Sequence, residues 1–65
     1  MGWLVKPQKI YSDLVVSWLR LEIAKLTHAL ATIEETHDYH DDYIHETIKT
    51  AESEFHRIRK FIEAN

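Results

Sequence analysis

An all-α fold is predicted for this 65-residue sequence: a hairpin of two helices that pairs with a second copy as an antiparallel four-helix bundle. Three observations predict it. Two apolar series run at helical spacing, and the single Gly and single Pro both fall before residue 8, which disfavours a turn-rich β fold. The third is a lack of staples: the chain has no cysteine, and so short a chain buries only about 60% of its unfolded surface. Association with another chain is the remaining route to an adequate core.

The first element expected is an apolar hook over residues 1–6, in which Trp3, Leu4 and Val5 either fold back on the bundle or cover a neighbour. A first helix follows at about 8–36. Pro7 suits its opening position, where a missing N–H is no loss, with Ser12 or Asp13 as a competing start. Its seam is Val16, Leu19, Ile23, Leu26, Leu30 and Ile33, spaced alternately by three and four residues as in a helix packing along a line. A second helix is expected at about 41–63, with the seam Ile44, Ile48, Ala51, Phe55, Ile58 and Ile62.

Between them lies Glu-Thr-His-Asp-Tyr-His-Asp-Asp-Tyr-Ile-His-Glu, residues 35–46. Extending the first seam through it lands on His37, His40 and Ile44, so one long coiled-coil helix with a polar histidine layer is the alternative fold. The hairpin is preferred. Asp and His are modest helix formers, and Asp38 with Asp41 three residues later resembles a reciprocal capping pair before a helix.

Self-association is expected because the first helix also carries Ile10, Leu14, Val15, Trp18 and Leu21 on faces beside its seam, more apolar surface than one partner helix covers. Charge suggests the orientation. All eight Lys and Arg lie at 6–25 or 49–60, whereas residues 26–48 carry six acids and no base. The middle is therefore −6 and the flanks +3, giving the formal −3 of the chain. A hairpin gathers the bases at its open end and the acids at its turn, and an antiparallel dimer sets each against the other.

The histidines of the turn raise the possibility of a metal site between protomers, built from His37, His40, Asp41 and His45. Glu34-x-x-His37 and Asp42-x-x-His45 have the spacing that sets a carboxylate and an imidazole on one helix face, but such centres need further carboxylates, and in helix 1 only Glu22 is placed to give one. A pH response is a second reading, since His28, His37, His40 and His45 lie among the acids. The plain reading is a solvated polar turn, and no cofactor is expected.

At the open end, Trp3, Lys6, Lys9, Tyr11, Trp18, Arg57 and Lys60 form the candidate surface for a protein partner, an anion or nucleotide, or an RNA loop. The net charge of −3 and pI near 5.9 disfavour general nucleic-acid binding. Catalysis is not expected: Ser12, Ser17 and Ser53 lack a His and acid at helical spacing, and no Gly-rich loop holds phosphate. With no secretory signal and no bilayer-length apolar run, a cytoplasmic setting is expected. The function expected is stoichiometric binding of another macromolecule, as adaptor, inhibitor or regulator.

Overall fold

A computed structural model describes residues 7–65, with side chains from Lys9 onward. Two helices, α1 (Pro7–Thr36) and α2 (Asp42–Ala64), pack against each other in one layer with principal extents of 55 × 20 × 10 Å. They are antiparallel: Tyr11 meets Phe61 at the open end, and His28 meets Tyr43 near the turn. The expected boundaries of 8–36 and 41–63 are reproduced to within one residue at each helix end. The apolar hook, with Trp3 and Lys6, lies outside the described residues.

The chain turns rather than continuing as one long helix, and local side chains show why. His37 adopts φ 58°, the left-handed conformation that stops a helix, and its N–H donates to the Ile33 carbonyl at 2.7 Å. Histidine is among the few residues other than Gly that visit this region with some frequency, so the turn forms without glycine. Thr36 Oγ1 accepts from the Asp38 N–H at 3.2 Å, and Asp38 Oδ1 accepts from the His40 N–H at 2.9 Å. Asp41 then caps α2, its Oδ1 accepting from the Tyr43 N–H at 2.7 Å. The reciprocal Asp38–Asp41 capping pair expected from sequence is thus divided: Asp38 closes the turn, and Asp41 alone caps the helix.

The seam of α1 needs a larger correction. Facing α2 are buried Glu22 and Ala29 with half-buried Val15, Trp18, Leu26 and Ile33. Val16, Leu19, Ile23 and Leu30, two-thirds of the expected seam, are instead exposed by 36–61%. The expected seam of α2 divides in alternation: Ile44, Ala51 and Ile58 are 2–4% exposed, whereas Ile48, Phe55 and Ile62 are 40–55% exposed. Small residues explain part of the choice. Ala29 and Ala51 let the two helices approach closely, and Trp18 fits beside Phe61, ring centroids 5.0 Å apart.

Candidate docking surface

At 3.6 residues per turn, Leu19, Leu30, Ile23 and Val16 lie about 60–120° round α1 from Glu22, which faces α2. On α2, Ile62, Phe55 and Ile48 lie about 20–60° round from Ala51, in the same rotational sense. Two antiparallel right-handed helices whose residues rotate in the same sense away from their contact place them on the same broad side of the layer. The seven exposed residues therefore form one apolar face. All seven are exposed by at least 36%.

The apolar sector of each helix is consequently not aimed at its hairpin partner. It is centred between that partner and the open broad face, where Leu26 and Ile33 of α1 and Ile44 of α2 link the covered and uncovered residues. In a four-helix bundle this direction points to the common axis. An isolated helix pair would be served by sectors aimed at each other.

The opposite broad face mixes polar and apolar residues. Lys25, Tyr43, Glu46, Thr47 and Thr50 line a shallow groove there. Beside it, His28 Nδ1 and the Tyr43 hydroxyl share a hydrogen bond, with the rings edge to face. Ile10, Leu14 and Leu21 are exposed on this side of α1, by 39–55%, a smaller apolar stretch than the seven-residue face.

At the open end Phe61 is the centre of an aromatic cluster, meeting Tyr11 and Trp18 edge to face with centroids 5.3 and 5.0 Å away. The Arg57 guanidinium stands 4.5 Å from the centre of the Trp18 ring. Its charge is shared with Glu54, to which it donates from Nη2 at 2.9 Å and Nε at 3.2 Å. Lys60 and Arg59 both reach Glu63, at 3.6 and 3.8 Å. Tyr11, Trp18 and Arg57 are thus brought together, whereas Lys9 and Lys60 stand on exposed outer positions. Partial neutralisation by Glu54 and Glu63 makes this end more aromatic than cationic. A groove of about 260 Å³ opens next to the cluster, lined by Tyr11, Ser12, Val15, Val16, Phe61 and Ile62 with Asn65.

At the turn, His37, His40, Asp41 and His45 are all exposed. Among the described residues, no group of three or more His, Asp or Glu side chains is arranged to hold a metal ion. Asp41 is committed to its capping bond, and the His40 ring lies 4.1 Å from that of Tyr39.

Glu22, the one carboxylate that the sequence placed on the buried side of helix 1, is buried. It is 2% exposed, and among the described residues its Oε2 has no hydrogen-bond partner and Lys25, with Nζ at 3.8 Å, is its one ion-pair partner. A carboxylate at the centre of an interhelical stripe is costly. The sequence signal was its place three and four residues from Leu26, Trp18 and Leu19, inside the apolar series.

Among the described residues, no helix is long and apolar enough to cross a membrane. No protein-family model, curated protein or solved structure matches this chain.

Proposed function

We propose that this protein acts stoichiometrically by binding another macromolecule, as adaptor, inhibitor or regulator, and that its working form is an antiparallel homodimer of hairpins, a four-helix bundle. The observation that carries the reading is the uncovered face of Val16, Leu19, Ile23, Leu30, Ile48, Phe55 and Ile62. Monomeric proteins rarely leave contiguous apolar patches beyond a few hundred Å² in water. The layer offers a face of 55 × 20 Å, against the roughly 800 Å² per partner of a stable protein interface. Burial of each large apolar side chain contributes about 1.5–3 kcal/mol, which a thin two-helix core needs.

In this reading the apolar face holds the dimer together, and Tyr11, Trp18 and Arg57 remain at the bundle ends for the external partner. Trp, Tyr and Arg are the residue types most often dominant at binding surfaces. The test is sedimentation equilibrium on the free chain and on Phe55→Glu. A mass of twice 7.8 kDa for the parent, falling toward 7.8 kDa in the variant, is expected. A parent that stays at 7.8 kDa throughout the range in which it unfolds cooperatively would overturn the dimer.

A further inference from the structure

The face assigned to the second copy leaves an apolar stripe of the hairpin uncovered. Ile10, Leu14 and Leu21 lie about 80–120° round α1 from Glu22, in the sense opposite to Val16 and Ile23. They are 49, 39 and 55% exposed, with half-buried Trp18 at their border. The stripe occupies the half of α1 nearest the open end, next to the point where residues 1–6 join the helix at Pro7.

Residues 1–6, with Trp3, Leu4 and Val5 among them, lie outside the described residues. We infer that this segment is the occupant of the stripe: it docks as an extended arm antiparallel to α1, with Val5 on Ile10 and Trp3 on Leu14. The inference stands apart from the dimer, because it uses the side of the hairpin that a second copy does not need.

The start of α1 supplies the anchor. With Pro7 as the first helical residue, Lys6 takes the cap position, Val5 precedes the cap and Ile10 is the fourth residue of the helix. An apolar pair at those two places is a hydrophobic staple, which fixes the angle at which the chain enters a helix. Pro7 also biases Lys6 toward extended backbone, so the chain leaves α1 as an arm rather than as further helix. Spacing carries the arm onward. Alternate residues of an extended chain share a side, which puts Val5 and Trp3 two rises of about 3.3 Å apart on one side of the arm. Ile10 and Leu14 are four rises of about 1.5 Å apart on one side of the helix. The two spans, about 6.6 and 6 Å, match, so an arm stapled at Ile10 brings Trp3 over Leu14. The other seat within reach is the open-end groove of about 260 Å³ that Ser12, Val16 and Ile62 line. That groove opens on the seven-residue face, round the other side of α1, and a chain stapled at Ile10 is directed away from it. Docking on the stripe also sets Trp3 beside Trp18 and the Arg57 guanidinium that stands over it.

The test is NMR on the isotope-labelled full chain. Nuclear Overhauser contacts are expected from the Trp3 indole to the Leu14 methyl groups and from the Val5 methyl groups to those of Ile10. A mixed sample of labelled and unlabelled chains, filtered for contacts between chains, should show neither, because the arm docks on its own hairpin. Thermal unfolding of variants gives a second reading. Val5→Ala is expected to lower Tm by about 4 °C or more, and Leu4→Ala, on the alternate side of the arm, by less than about 2 °C.

Contacts from Trp3 to Val16 and Ile62 would seat the arm in the other groove and overturn the inference. Contacts found only between chains would overturn it by giving the arm to a second copy, and so would the absence of any contact from Trp3 to α1. A larger loss from Leu4→Ala than from Val5→Ala would turn the wrong side of the arm to the helix and overturn the row.

Discussion

Replacing Glu22 by leucine should stabilise the protein. Glu22 is 2% exposed in the stripe between α1 and α2, and its Oε2 has no hydrogen-bond donor among the described residues. Leaving such a group unsatisfied costs about 1–3 kcal/mol, and more where charge is involved. What the substitution gives up is small. The Lys25 contact is long, at 3.8 Å, and the Lys25 side chain is 45% exposed, so the pair is worth at most about 1 kcal/mol. Leu and Glu have similar helix propensities, so the backbone is indifferent. Exchanges of buried ionic groups for well-packed apolar ones are often neutral to stabilising by about 1–4 kcal/mol, and a gain of about 2 kcal/mol is expected here. The assay is urea unfolding followed by circular dichroism, with parent and variant at one concentration because association contributes to apparent stability. Lys49→Leu, on the outer side of α2 about 160° round from Ala51, serves as control and should change stability by less than about 0.5 kcal/mol. A loss of more than about 1 kcal/mol in Glu22→Leu would refute the argument, since only a carboxylate with a good donor costs that much to remove.

Other substitutions probe the turn and the open end. Asp41→Ala removes the oxygen that accepts from Tyr43 N–H, and should lower stability by about 1 kcal/mol in the same assay. His37→Gly relieves a side chain at φ 58° and should raise stability by about 0.5–1 kcal/mol in that assay. Arg57→Ala strips the cation from the Trp18 ring and from Glu54, and a loss of about 0.5–1 kcal/mol with a change in Trp18 fluorescence is expected. Unchanged emission would mean that the Arg57 contact is not kept in solution.

Helices, their ends and the existence of a turn were legible in the sequence because each depends on neighbours along the chain. The spacing of Ile44, Ala51 and Ile58 announces a helical face, Asp41 announces a cap, and the run of Asp and His weakens the helix between them. The left-handed residue was not legible: the turn has neither Gly nor Asn, the usual bearers of positive φ, and His37 takes that place. Tyr11, Trp18 and Arg57 were named in the sequence as one candidate surface, and packing of α1 on α2 brings them together around Phe61.

Which apolar stripe of α1 faces α2 was not legible. Val16, Leu19, Ile23 and Leu30 share their 3, 4, 7 spacing with Val15, Trp18, Glu22 and Ala29 but are all large and apolar, so hydrophobic periodicity ranks them first. Periodicity reports that a face avoids water, not which neighbour covers it. The short turn and the close approach allowed by Ala29 and Ala51 rotate α1 so that its weaker stripe, with Glu22, meets α2 and its stronger stripe looks outward. The sequence by itself determined that this chain has more apolar helix surface than one hairpin can hide. Only the tertiary structure decided where that surplus lies, because the rotation of one helix against another is set by contacts between residues distant in the chain.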